Sequence, residues 1–503
     1  MNAGKPPAES SEIVELREDV SHSPYSSADM APVPASGRLW GTKDLAVLWI
    51  SMAACVTTYT LASSLIEQGF NWWQAICIIF LANCVVLVPM IANAHAGTRY
   101  GISFPVYCRA SFGILGANVP ALLRAFVACG WFGIQTWIGG EALRTMFAVF
   151  IPGLNDAPRI ELLGITAPQL GCFLFFWLIN MAVVWAGIDS IRLLLNIKAP
   201  LLIVLGLLLL GWAYSAAGGF GPMLSQPSQF AVGQPKAGQF WLPFVMALTA
   251  NVSYWATLSL NIPDFSRYAR SQHDQMLGQA LGLPTTMALY AFIGVAVTSA
   301  TIVIYGKPIW DPVELLHKFQ NPFVLVPAML ALTLATLATN IAANVVSPAN
   351  DFAHLWPKRI SFRLGGLITG LIGIAIQPWY LYANPEKYIG TWLIGISLLL
   401  GSCGGVLIAD YYAIRGTKLD LAGLYKKDGP YWYVGGVNPL ALAALLIGIV
   451  PCLPGFLSAA GLVANVPEGL KQIYAFAWFV SFGLSFASYW LLMKTVRPKS
   501  RGN

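Results

Sequence analysis

The sequence predicts an all-α integral membrane protein with twelve transmembrane helices, and two observations carry that prediction. Of 503 residues, 57% are Ala, Val, Ile, Leu, Met, Phe, Trp, Tyr or Cys and only 10% are charged, an apolar share well above that of soluble domains. Apolar stretches recur from about Leu45 to about Leu492 and leave no room for an extended soluble domain. The net charge of +7 therefore reports topology and not a nucleic-acid footprint.

Residues 1–40 are polar, rich in Ser, Pro and Ala, and carry Glu9, Glu12, Glu15, Glu18 and Asp19 without an apolar h-region. They read as a disordered cytoplasmic tail and not as a cleaved signal peptide. At about 20 apolar residues per span, spans fall near 44–66, 72–94, 117–150, 167–188, 199–218, 240–263, 281–305, 322–346, 362–380, 388–411, 437–458 and 472–494. An even count puts both termini on one side. With the tail inside, Lys and Arg divide 21 to 6 between inner and outer loops, with Arg124 and Arg144 left within span 3, which sets both termini in the cytoplasm. The expected organisation is a tail over 1–40, a core over 41–411, a cytoplasmic loop with spans 11 and 12 over 412–494, and a C-terminal tail over 495–503, in the inner or plasma membrane.

Spans 1 and 6 carry polar, β-branched interruptions at mid-membrane depth: SMAACVTTYTLASS (Ser51 to Ser64) and TANVSYWATLSLN (Thr249 to Asn261). Interruptions in corresponding places of two halves point to a binding site in secondary transporters. Five spans separate them. A five-span unit repeated with inverted topology, over about 44–218 and 240–411, sets the two breaks face to face, with spans 11 and 12 as additions. The alternative is that Ser and Thr bond back to the preceding turn of continuous helices.

Several mid-membrane side chains suit a flat heterocycle. On span 3, Trp131 and Gln135 lie four apart in ACGWFGIQTWIGG, hence on one face, beside glycines that admit close neighbours. On span 8, Asn340 and Asn344 repeat that spacing, and a carboxamide donates and accepts at once, matching a ureide or nucleobase edge. Trp255 lies at the span 6 interruption and offers a second aromatic plate. Mid-span amides also join helix to helix, for about 0.6 to 2 kcal/mol. No membrane-embedded Asp or Lys offers an obvious counter-charge, so the expected ligand is neutral.

Acidic residues within the spans are few. Glu141 precedes Arg144 by three residues and Asp264 precedes Arg267 by three; both read first as local ion pairs and second as proton carriers. Asp189 and Asp351 fall at predicted inner ends and need no special role. The eight cysteines show no CxxC, and the sequence shows no metal-ligand spacing, Ser/His/Asp set, HExxH or P-loop. The reading is therefore not an enzyme, with no cofactor.

Four segments carry a resemblance: Gly101 to Ala142, LNIPDFSRYARS (Leu260 to Ser271), TLATNIAANVVSPAND (Thr336 to Asp351 with its preceding turn) and Ala409 to Asn438. Together they resemble the nucleobase-cation-symporter-1 family over essentially the whole chain after the tail. The resemblance implies a LeuT-like fold, two inverted repeats of five helices plus two more, and import of nucleobases, allantoin or hydantoins by alternating access. It also implies that Trp131 and Trp255 sandwich the ring while Gln135 and Asn344 bond it. Cys55 stands where some members carry Gln or Asn, so one substrate hydrogen bond is absent or replaced.

For sodium the resemblance implies backbone carbonyls of Ser51, Ala54 and Ala335 together with two side-chain hydroxyls. Those two positions are Ala338 and Thr339, so one hydroxyl is missing, and a hard cation bound by few oxygens is weakened by that loss. Sodium and proton are both open as the coupling ion. The sequence thus predicts a cation-coupled importer of a small neutral heterocycle embedded in the lipid bilayer, with no nucleic-acid partner. The alternatives are a ligand-binding membrane receptor that does not transport, and an amino-acid carrier of the same fold.

Overall fold

The computed structural model describes residues 13–26, 30–151, 153–154, 156–186, 188–319, 321–355 and 359–496, without the side chains of 188–199, 346, 350, 353, 354 and 496. The first twelve residues and residues 497–503 of the two expected tails lie outside the described residues, as do the side chains of Asp189 and His354.

Each of the twelve predicted stretches overlaps helix among the described residues, the ninth with a break at Ile376 and Gln377. The chain runs α1 (Thr42–Ala53), α2 (Val56–Glu67), α3 (Trp72–Tyr100), α4 (Phe104–Phe112), α5 (Asn118–Ala148), α6 (Ala167–Ala186) and α7 (Ile188–Ala216). It continues through α8 (Phe220–Leu224), α9 (Trp241–Tyr254), α10 (Ala256–Asn261), α11 (Pro263–Ser266), α12 (Gln272–Tyr305), α13 (Pro312–His317), α14 (Pro322–Asn344) and α15 (Val346–Leu355). It ends with α16 (Phe362–Ala375), α17 (Pro378–Leu381), α18 (Ile394–Ile408), α19 (Pro439–Ile449), α20 (Leu453–Ala459), α21 (Glu468–Ala475) and α22 (Ala477–Val496), with π-helical turns at Lys387–Leu393 and Ala409–Ile414 on either side of α18. Among the described residues seven helices are long and apolar enough to cross a membrane, or nine if each of two bent pairs forms one span.

Helix boundaries follow local chemistry more than hydropathy. Asn71 and Gln74 cap the start of α3 reciprocally, each side chain bonding the other's backbone N–H at 3.1 Å. The helix then runs past the apolar run through His95, Thr98 and Arg99, to stop at Gly101, whose φ of +69° suits a left-handed cap. Ser271 caps α12 by accepting from the Asp274 N–H at 3.0 Å, ten residues before the expected apolar start. The last span, expected over 472–494, bends by 84° between α21 and α22.

Both expected interruptions are present. Between α1 and α2 the backbone at Cys55 is extended (φ −149°, ψ 160°), and the two halves meet at 60°. Between α9 and α10 the helix gives way at Trp255 (φ −101°, ψ 3°). The back-bonding alternative also operates within the halves: Thr60 donates to the Val56 carbonyl and Ser253 to the Thr249 carbonyl. It satisfies polar side chains without restoring continuity.

Small residues set the packing. In the GQALG run of α12, a Cβ on Gly278 would stand 2.7 Å from the Leu45 Cβ, and one on Gly282 2.9 Å from the Trp49 Cβ, so α12 lies directly on α1. The α5 span packs against α14, α6 and α16.

Residues 13–26 and 30–40, expected as part of a disordered tail, are docked on the bundle. Val14 and Val33 donate to the Arg99 and Gly101 carbonyls, both at 2.8 Å. The buried Arg38 guanidinium donates to the carbonyls of Val14, Val33, Thr98 and Arg99, and Glu18 pairs with Lys426. Four carbonyls on one guanidinium tie this segment to the end of α3.

Candidate functional site

Trp131 stands on α5 between Gly130 and Gly133. A Cβ on Gly130 would collide with the Trp392 indole, and one on Gly133 would lie 2.6 Å from the Gly373 carbonyl oxygen. The missing side chains let neighbours close directly around the Trp131 ring. Three rings meet it edge-on: Tyr254 at 5.3 Å, Trp392 at 5.7 Å and Tyr388 at 6.4 Å between centroids. Edge-to-face contacts of this kind favour the ring quadrupoles.

Tyr254 joins the two interruptions. Its ring is edge-on to Trp255 at 5.0 Å, and its hydroxyl lies 3.2 Å from the Cys55 Sγ, 2.8 Å from the Thr57 Oγ1 and 3.1 Å from the Thr58 Oγ1. Trp131, Trp255 and Cys55, all expected at the site, thus come together through a residue the sequence reading did not select. Gln135 is buried one turn along α5 from Trp131.

The span 8 amides take different roles. Asn340 is fully buried, and its Nδ2 donates toward the Phe132 carbonyl (3.2 Å), the Thr136 hydroxyl (3.0 Å) and the Asn180 Oδ1 (3.2 Å). Expected as a ligand contact, Asn340 directs its amide donors to α5 and α6. Its Oδ1 accepts from the Asn344 Nδ2 at 3.1 Å, so it orients Asn344, whose own Oδ1 remains for another partner.

The expected cation ligands are modest in oxygen. Ala338 brings no hydroxyl, and the Thr339 hydroxyl donates to the Ala335 carbonyl at 2.9 Å. Ser51 and Ala54 flank the end of α1.

Of the expected acidic pairs, Glu141 receives the Arg144 guanidinium at 3.0 and 3.2 Å and the Gln169 amide at 3.4 Å. Asp264 instead accepts from the Phe104 backbone N–H at 2.8 Å. Asp351, set aside as an inner-end residue, pairs with Arg124 of α5, both side chains buried. The reading overlooked this pair because its members lie 227 positions apart.

Sequence reasoning also missed Tyr388 and Trp392. The signal was present: in KYIGTWL they sit four apart, the spacing that selected Trp131 and Gln135. Among the described protein atoms, the Tyr388 hydroxyl and the Trp392 and Trp255 indole N–H groups are buried without a hydrogen-bond partner. Each such donor costs about 1 to 3 kcal/mol unless something accepts from it.

Broken helices meeting at a buried aromatic cluster within an apolar helical bundle point to a binding site of the secondary-transporter kind. Residues 32–481 match the family model described as permease for cytosine/purines, uracil, thiamine, allantoin, and the chain belongs to that family. It is 45% identical over 473 residues to the purine-uracil permease NCS1 of Arabidopsis thaliana, covering 94% of this chain and 78% of that protein. It is 40% identical to the allantoin permease of Bacillus subtilis, covering 94% of each. Its fold is that of Mhp1, a nucleobase-cation-symport-1 family transporter solved closed with bromovinylhydantoin bound (TM-score 0.71, 24% identity, 94% of this chain and 96% of that one).

Proposed function

We propose that the protein imports a neutral planar heterocycle, a nucleobase such as uracil or an allantoin- or hydantoin-type ureide, by cation-coupled alternating access. The observation that carries this reading is the set of unpartnered buried donors around the plates: Tyr388 and Trp392 against Trp131, and the Trp255 indole against Tyr254. A flat ligand with ring carbonyls stacks on the indoles and accepts from these donors, while Gln135 and the free Asn344 oxygen meet its N–H and C=O edge. The permeases of Arabidopsis thaliana and Bacillus subtilis, named for purines, uracil and allantoin, support the same substrate class.

In this reading twelve spans form two inverted repeats of five plus two, with both termini cytoplasmic. The coupling ion is sodium, held by Ser51, Ala54, Ala335 and Thr339, or a proton, which the hydroxyl-poor Ala338 position favours. Glu141 and Asp264 are the carboxylates available to a proton. One cation crossing about 100 mV supplies roughly 2.3 kcal/mol, enough for about 50-fold accumulation of a neutral solute.

The test is uptake of labelled uracil and allantoin into vesicles containing the purified protein, with sodium and proton gradients imposed separately. Accumulation above equilibrium under one gradient supports the proposal. Binding without accumulation under either makes the protein a receptor.

A further inference from the structure

The Tyr254 hydroxyl has one proton to donate and two lone pairs to accept with. Three partners surround it: the Thr57 hydroxyl at 2.8 Å, the Thr58 hydroxyl at 3.1 Å and the Cys55 thiol at 3.2 Å. The Cys55 thiol also lies 3.2 Å from each of the two threonine hydroxyls. This closed knot leaves the phenol no spare capacity for a ligand, so its work is mechanical.

Its position defines that work. Cys55, Thr57 and Thr58 are the interruption itself and the first turn of α2, whereas Tyr254 is the last residue of α9 before the second interruption. A break frees the two halves of a helix to move independently, and the knot removes that freedom between α2 and α9. The other end of the same side chain is its ring, edge-on to Trp131 on α5 at 5.3 Å and to Trp255 at 5.0 Å. A shift of the backbone at Ala54 and Cys55 therefore displaces the ring that abuts both plates.

We infer that Tyr254 is a positioning residue that couples the α1–α2 break to the aromatic plates, so that occupancy of an ion at the break changes affinity for the heterocycle through the phenol hydroxyl. This rests on the cation-coupled reading above.

The readout is the ratio of ligand affinities with and without the ion, from tryptophan fluorescence of the purified full chain titrated with uracil or allantoin. Titrations are run with and without sodium, and at two pH values. A ratio cancels any loss common to both conditions, as from a poorer pocket. Coupling between sites is typically about 5- to 150-fold. Tyr254→Phe keeps the ring and removes the hydroxyl, and we expect the ratio to collapse to below about 2-fold. Thr57→Val should lower it partway and Thr57→Ser restore it, giving a second route should Tyr254→Phe fail to fold. A folded Tyr254→Phe or Thr57→Val with the wild-type ratio overturns the inference while leaving the transport reading intact. A wild-type ratio of one for every probe and ion overturns the coupled reading and this inference with it.

Discussion

Arg124 of α5 and Asp351 of α15 form a buried ion pair that ties the helix carrying Trp131 to the segment following Asn344. Each partner lies seven residues from its site residue along the chain, and the side chains are only 1% and 5% exposed. Arg124 also sits over the Phe104 ring at 5.8 Å. Breaking a buried pair leaves an uncompensated charge and costs about 3 to 5 kcal/mol, whereas replacing both members with apolar residues is often neutral. Arg124→Leu and Asp351→Leu should each lower the detergent-solubilised Tm sharply, and the double variant should recover most of the loss. Additive losses in the double variant would show that the two charges do not depend on each other.

Asn340 and Asn344 separate packing from recognition. Asn340→Leu removes an amide that faces three partners on α5 and α6, so it should lower Tm. Asn344→Leu should weaken ligand binding by about 1 to 3 kcal/mol with a smaller effect on Tm. Calorimetry and fluorescence titration on both variants check the split; the reverse pattern would exchange their roles.

Gly282 is where α12 meets α1, with the Ala46 Cα 3.0 Å from the point a Cβ would occupy. Gly282→Val has no flexible neighbour to push aside, since backbone lies on the far side. Folded yield after size-exclusion chromatography should fall strongly, and Gly282→Ala less so. Equal yields for both variants and wild type would show that the two helices separate at little cost.

Asp311 lies in the loop before α13, where its carboxylate accepts from the Val313 N–H at 2.8 Å. Burial pushes its pKa up from the ordinary carboxyl value to about 7, with Glu141 and Glu314 adding to the shift. The folded state therefore holds a proton that the unfolded chain has released between about pH 4 and 7, and stability should fall as pH rises through that window. Thermal unfolding at pH 5 and pH 8 should show the decline, and Asp311→Asn should flatten it. An unchanged slope in Asp311→Asn would assign the decline to another group.

Much of the architecture was legible because apolar length and mid-span polar patches are local signals. The breaks at Cys55 and Trp255 followed from runs of Ser, Thr and Asn where a membrane span should be apolar. The helix ends were less legible: α3 and α12 extend beyond their apolar runs because capping by Asn71, Gln74, Ser271 and Gly101 decides where a helix stops, and hydropathy does not. At the site, i to i+4 spacing selected Trp131, Gln135, Asn340 and Asn344, but spacing cannot tell an amide facing a ligand from one facing Thr136 and Asn180. Tyr254 and the Arg124–Asp351 pair were invisible because their partners lie 196 to 227 residues away in the chain. The docking of residues 13–26 and 30–40 through Arg38 escaped for the same reason: composition says polar and flexible, while two of the four carbonyls that hold the guanidinium, those of Thr98 and Arg99, belong to α3.

The most direct test of the account is tryptophan fluorescence of the purified protein against uracil, cytosine, adenine, guanine, uric acid, allantoin and benzyl-hydantoin, in wild type and in folded Trp131→Ala and Gln135→Ala. The account predicts a saturable response to one ring type that both substitutions abolish, together with loss of uptake. A full response in either variant would remove that residue from the site, and silence of the folded wild type toward every ligand would contradict a planar-heterocycle pocket between these helices.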